Sequence, residues 1–190
     1  WYHVVGVYDG STMKIYLNGA LGMSTALPAG ATVSANANSN IPLTFGARAD
    51  GVSGYYEYNG TIDEAAVYTT ALSPSRILAH YEAGVAVSPP TSYQQTILGD
   101  APAGYWRFNE AGDVFAANAG TLGSPADAKI IAPTTVAVPG PTGTGFEAGN
   151  KAVQFTTGGY VQAPGLNLNT NGVTITCWVK PSGNQAADAG

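Results

Sequence analysis

Short apolar runs that alternate with polar residues, each closed by an Asp-Gly or Asn-Gly pair, open this chain and restrict it to hairpins of β-strand. Trp1 to Tyr8 is rich in Val and aromatic residues and ends at Asp9-Gly10. Met13-Lys14-Ile15-Tyr16-Leu17-Asn18 alternates cleanly, which directs Met13, Ile15 and Leu17 toward a core, and Asn18-Gly19 turns the chain again. Only 10% of the 190 residues are charged, while 25 are Gly and 12 are Pro, so long charged helix formers are scarce and turns are plentiful. The 45% hydrophobic content is enough for one real core or for two small incomplete ones.

Strand signals continue at Leu43-Thr44-Phe45-Gly46-Ala47 and from Tyr55 to Tyr68, with Asn59-Gly60 as a kink ahead of Thr61. Ser24 to Asn40 reads as a long loop with a strand inside it. One helix is expected over residues 74–82. Ser73 can cap it, Pro74 suits its first position, Ile77, Leu78 and Tyr81 share a face, and Gly84 supplies the stop. Val85 to Thr91 contains Pro89-Pro90, which forbids helix and disfavours ladder pairing, so residues 86–92 read as a linker. Beyond it, Tyr93 to Leu98 reads as a short helical turn. Strands follow at Ala103–Phe108, with Trp106 and Phe108 on one face, then near Thr135–Val138, and at Ala152–Phe155, Tyr160–Ala163 and Val173–Lys180. Residues 112–149 are otherwise loop-rich. Strands throughout with one short helix predict an all-β sandwich.

Net charge and cysteine content narrow the function classes. A formal charge of −5 with 7 Lys plus Arg leaves no electrostatic footprint for nucleic acid or anionic lipid. No apolar run of spanning length occurs, so membrane insertion is not expected. The single cysteine, Cys177, rules out an internal disulfide framework. It lies in phase with Val173, Ile175 and Val179, as a buried thiol would. The chain begins at Trp1 rather than Met, as a piece of something longer would.

These segments resemble the laminin-G-like, concanavalin A-type jelly rolls of large bacterial extracellular proteins. Trp1 to Gly10 with Lys14-Ile15-Tyr16-Leu17-Asn18-Gly19 is similar to that family's Trp-led hairpin. Asn59-Gly60-Thr61-Ile62-Asp63-Glu64-Ala65-Ala66-Val67-Tyr68, followed by Thr70-Ala71-Leu72-Ser73, resembles its closing strand and helix cap. Both belong to the second half of a module. Tyr105-Trp106-Arg107-Phe108-Asn109-Glu110, Ala152-Val153-Gln154-Phe155 and Val173 to Lys180 resemble strands of the first half. The resemblance thus implies a concanavalin A-like jelly-roll β-sandwich that is circularly permuted or incomplete. Residues 1–85 would be the C-terminal half of one module, 86–92 a Pro-rich linker, and 93–190 the N-terminal half of the next. The two halves are expected to pack on each other as one permuted sandwich, because each alone exposes an apolar sheet face.

Related folds include laminarinase-type glycosidases, whose paired acids lie on one face of one strand. Around Asp63 the corresponding positions are Thr61 and Ala65 or Ala66, and alternation points Asp63 and Glu64 to opposite faces, so no enzyme is expected. Glu57 and Glu64 would pair only by an accident of folding. Asp63, in phase with Ala65 and Val67, reads as inward-facing, either as a structural hydrogen-bonded carboxylate or as a ligand of a structural Ca²⁺. The resemblance also implies a metal near the loop from Glu110 to Asp127, with Asp113, Asn118 and Asp127 as candidates. His3 and His80 are far apart in sequence and share no metal-ligand spacing with Cys177. His80 sits in the last turn of the expected helix, where its partial charge suits the dipole. Tyr55, Tyr56, Tyr58 and Trp178 are the candidate stacking surfaces for a glycan, against the plainer reading that they cover the sandwich edge.

The function implied is a non-catalytic recognition or adhesion module, extracellular or on the cell surface, meeting glycans or other surface polymers and neighbouring modules of the same chain. Two alternatives stand beside it: a structural spacer in a tandem array, and an accessory module of a secreted glycosidase.

Overall fold

A computed structural model describes residues 1–28, 41–47, 57–112 and 114–183. The first hairpin forms as expected, β1 (Tyr2–Tyr8) and β2 (Thr12–Leu17) turning at Gly10, and after the turn at Gly19 a third strand, β3 (Ala20–Ala26), runs into the stretch from Ser24 that was expected to be loop. β4 (Leu43–Phe45) and β5 (Gly60–Tyr68) precede helix α1 (Pro74–Val85), and a second helix, α2 (Tyr93–Leu98), follows the Pro-rich stretch. The remaining strands are β6 (Gly104–Trp106), β7 (Phe115–Ala116), β8 (Ala128–Ile131), β9 (Thr134–Pro139), β10 (Lys151–Phe155), β11 (Tyr160–Ala163) and β12 (Val173–Pro181).

They assemble into two antiparallel sheets. The larger runs β3-β2-β1-β12-β5-β10-β9, with β6 also on β5, and the smaller runs β4-β11-β8-β7. Between them lies the main core, where Phe45, Trp106, Phe108 and Phe155 meet Ile62, Ala65 and Val67 of β5. On its other face the larger sheet carries both helices: Ala66, Tyr68 and Trp178 pack under Ala83, Tyr93 and Ile97, while Val5, Val7 and Tyr16 pack under Ile77. The molecule is therefore three layers deep along β5, and all nine residues of that strand are buried.

Strands from both sides of residues 86–92 share this core. β12 pairs with β1 and with β5, β6 pairs with Ala65 to Val67, and β10 pairs with Gly60 to Ile62. The expected packing of the segments on either side of residues 86–92 around one core is what the strand order shows.

Helix caps follow local chemistry. Ser73 accepts from the Arg76 amide ahead of Pro74, and Ser92 forms a reciprocal capping box with Gln95. Gly84 does not stop α1, which continues to Val85. It is small because a Cβ there would run into the Trp178 ring. Two strands fall where loop was expected, β7 and β8, each too short for a periodic signal.

Because both halves contribute to one core, heating should give a single transition in which tryptophan fluorescence and far-UV dichroism move together. Phe155→Ala should lower stability by about 3–5 kcal/mol without separating the two signals. Two resolved transitions would show independent halves.

Candidate ligand-binding cleft

Strand β5 is irregular at its centre. β12 pairs Thr176 with Ala66 and Trp178 with Asp63, so the register shifts between them and one extra residue is inserted on β5. Glu64 takes the strain, with φ of 54° in the left-handed region that side chains disfavour. The insertion changes the phase of the strand. Ile62 faces the inter-sheet core, whereas Asp63, opposite Trp178, faces the helices. Glu64 reaches Tyr105 and Arg107 on that same helix side. Asp63 is thus not in phase with Ala65 and Val67, and the two carboxyls do not point to opposite faces as strict alternation predicts.

Arg107 is the hub of the site. Its Nε lies 3.3 Å from Glu64 Oε1, its Nη1 donates to Gln94 Oε1 at 3.2 Å, and its Nη2 meets Glu147 Oε1 at 2.8 Å. Tyr105 donates its hydroxyl to Glu64 Oε2. Asn109 holds the next layer, accepting from the Lys151 amide and donating to Glu147. Asp63 Oδ2 accepts from Asn150 Nδ2 at 2.7 Å, while Asp63 Oδ1 and Asn150 Oδ1 have no hydrogen-bond partner. A cleft of about 210 Å³ opens beside this network, lined by Gln94, Arg107, Glu147, Tyr93, Phe146 and Thr144.

Two buried carboxyls share a single guanidinium, and the electrostatics follow from that. Burial pushes Glu64 up to about 7 against the pull of Arg107, and burial together with the Glu64 charge holds Asp63 well above the usual carboxylate range. A carboxyl near neutrality would suit a general acid, but Glu64 is 1% exposed and both its oxygens are engaged. Double displacement needs two carboxyls flanking a bound sugar, and neither Asp63 nor Glu64 reaches the surface.

The remaining candidates distribute as follows. Trp178 does lie on the opposite side of β12 from Val173 and Cys177. It is nevertheless covered by α1 and Phe146, so it has no free face on which a sugar could stack. Tyr58 is half-buried edge-on to Phe155, and Tyr55 and Tyr56 lie outside the described residues. Asn118 and Asp127 are brought together, the Asn118 amide donating to Asp127 Oδ1 at 2.8 Å. The Asn118 side-chain oxygen accepts from the Tyr105 and Gly120 amides and its nitrogen donates to the Gly123 carbonyl, so it fits poorly as a Ca²⁺ ligand. Asp113 lies outside the described residues, and Asp63 meets Asn150 instead. Among the described residues no three His, Cys, Asp or Glu side chains cluster to hold a metal.

His3 and His80, distant in sequence, approach to 6.5 Å between ring centroids beneath α1. His3 bonds Thr176 Oγ1 at 2.8 Å, and burial with the nearby His80 drives it down to about 3, so it is neutral. His80 lies in the middle of α1 rather than its last turn and bonds Asp100 Oδ2 at 2.7 Å. Arg76 also grips Asp100, joining the two helices. Cys177 packs on the inter-sheet core, and burial pushes its thiol up to about 12. The Arg107 hub, Gln94, Glu147, Asn150 and Asp100 were not singled out from sequence, since their meeting depends on long-range pairing.

An antiparallel two-sheet sandwich with helices on one face is consistent with a concanavalin A-like jelly roll. Residues 1–78 match the laminin-G-type model of the concanavalin A-like lectin/glucanases superfamily. Laminin-G-like domains are generally non-catalytic, although the wider superfamily includes glycosidases. No curated protein and no solved structure matches the chain. No helix among the described residues is long and apolar enough to cross a membrane.

A carboxyl whose folded-state value is raised binds more protons folded than unfolded, so it costs stability as pH rises. For Glu64 the window runs from its ordinary 4.5 to about 7. Across it, wild type should lose stability relative to Glu64→Gln as pH rises. Denaturant midpoints that run parallel for the two proteins would show that Glu64 is not buried as described. Thermal midpoints in excess Ca²⁺ and in EDTA should coincide.

Proposed function

We propose that this chain is a non-catalytic recognition or adhesion module of a large secreted or cell-surface bacterial protein, and that it binds a glycan or another surface polymer. The observation that carries this reading is the polar cleft at Arg107, in a chain whose first 78 residues match a model of the concanavalin A-like lectin/glucanases superfamily. Gln94, Arg107 and Glu147 offer amide, guanidinium and carboxylate groups for sugar hydroxyls, and half-buried Phe146 supplies an apolar wall. At about 210 Å³ the cleft is smaller than a typical enclosed small-molecule pocket. It suits a single ring or chain end rather than a long oligosaccharide. In the same reading residues 1–85 complete one laminin-G-like module, 86–92 connect, and 93–190 begin the next.

Affinity electrophoresis through gels containing laminarin, xylan or agar tests the reading. Retardation by at least one polymer should fall about tenfold or more for a Gln94→Ala, Glu147→Ala double variant, the loss of two hydrogen-bonded contacts. No reducing ends should be released from the same polymers. Retardation unchanged in the double variant would move the ligand away from this cleft, and mobility unaffected by every polymer would remove the glycan reading.

A further inference from the structure

Two histidines are buried where the helical layer meets the larger sheet. His3 of β1 and His80 of α1 are both 0% exposed, and their rings meet edge to face with 6.5 Å between centroids. Each ring uses one nitrogen and leaves the other bare. His3 Nε2 lies 2.8 Å from Thr176 Oγ1 and His80 Nε2 lies 2.7 Å from Asp100 Oδ2, whereas both Nδ1 atoms are buried without a partner among the described residues. An ionised carboxylate can only accept, so Asp100 fixes the proton of neutral His80 on Nε2. A second proton would have to sit on Nδ1, which faces no acceptor, and a buried donor without one is costly. His3 meets the same limit, since its charged form carries a proton on each nitrogen.

The groups around the pair offer little to stabilise two cations. Asp100 is the carboxylate in contact, and Arg76 already grips both of its oxygens. The other neighbours are Tyr68 of β5, stacked on His80, and Tyr81 of α1, Tyr93 of α2 and Trp178 of β12 around His3. Burial, with His80 beside it, drives His3 down to about 3, and burial lowers His80 as well against the pull of Asp100. The layer that covers them is separable. Among the described residues, none from α1 or α2 belongs to the core between the two sheets, and neither helix takes part in strand pairing. Arg76 ties α1 to Asp100, just beyond α2, so the helices can leave the sheet as one body.

We propose that mild acid releases the α1–α2 layer from the larger sheet while the two-sheet core stays folded. Release brings both imidazoles to water, where each takes up a proton and finds partners for both nitrogens. A histidine held low in the docked state stabilises docking above its ordinary 6.5, and that stabilisation is lost as pH falls. Below 6.5 each histidine weakens docking by up to about tenfold per pH unit, and the pair by up to about a hundredfold. Glu64 titrates with the opposite sign, so it does not mimic the effect. Release uncovers Trp178, and it takes Tyr93 and Gln94 out of the cleft at Arg107. The loss of ligand that follows rests on the reading of that cleft as a binding site. The release itself does not.

Amide hydrogen exchange read peptide by peptide from about pH 7.5 to about pH 5, corrected for the intrinsic pH dependence of exchange, tests this. Protection of α1 and α2 should fall about tenfold or more for each unit below 6.5, while β10 and β11 keep theirs. His80→Gln keeps an amide donor for Asp100 but does not titrate, so it should reduce that slope, and adding His3→Gln should flatten it. Should the double variant fail to fold, the reduced slope of His80→Gln alone decides. Helix protection that stays constant below 6.5 overturns the proposal. So does a loss shared equally by β10 and β11, or an undiminished slope in His80→Gln. Polymer retardation in the same buffers separates the two readings: helices that undock while retardation persists uphold the release and move the ligand away from the Arg107 cleft.

Discussion

The pairing of β5 with β12 is the contact on which the rest of the molecule depends. β5 is covered on both faces, and three strands from beyond residue 86 flank it: β12 on one edge, β10 and β6 sharing the other. No part of the sequence before residue 86 supplies a neighbour for β5 among the described residues. Without β12, the β1–β3 meander would also lose its connection to the strand, since β1 reaches β5 only through it. The two halves are thus joined through the centre of a sheet rather than across a contact of finished surfaces. That is why a Pro-rich connection between them does not mark a boundary in the core.

The bulge at Glu64 is what allows one strand to serve two partners on a single edge. β10 occupies Gly60 to Ile62 and β6 occupies Ala65 to Val67, with Asp63 and Glu64 in the gap between them. Both carboxyls then fall on the helix side, where water cannot solvate them, and Arg107 is the cation that the following segment brings. A buried acid left without a partner costs several kcal/mol, which explains why Tyr105, Arg107, Gln94 and Asn150 converge there from separate elements. The cleft beside Arg107 is a consequence of this anchoring. Its polar groups are held in place by the same bonds that neutralise Glu64.

Much of the fold was legible from local chemistry. Asp9-Gly10 and Asn18-Gly19 mark the first turns, Ser73-Pro74 marks the start of α1, and alternation marks β12, including the inward thiol of Cys177. Gly84 was misread because a helix stop and a close approach to an indole both call for the same residue, and only tertiary contact distinguishes them. Asp63 was misassigned for a related reason: one inserted residue reverses the facing of everything before it, and no feature of Thr61-Ile62-Asp63-Glu64-Ala65 announces the insertion. The site itself was hidden more deeply. Arg107, Glu147 and Gln94 are ordinary charged or polar residues in three segments, and nothing about their spacing anticipates that they meet.

Met13, Ile15 and Leu17 show where an alternation argument stops. Period two states which residues share a face, and here it states this correctly, since their neighbours Val5, Val7 and Tyr16 are buried on the other side. It does not state that anything lies opposite. Cover depends on the second sheet, which among the described residues has four strands against the eight of the larger one. Among the described residues, the exposed apolar side chains Met13, Ile15, Leu17 and Met23 lie on strands remote from β5.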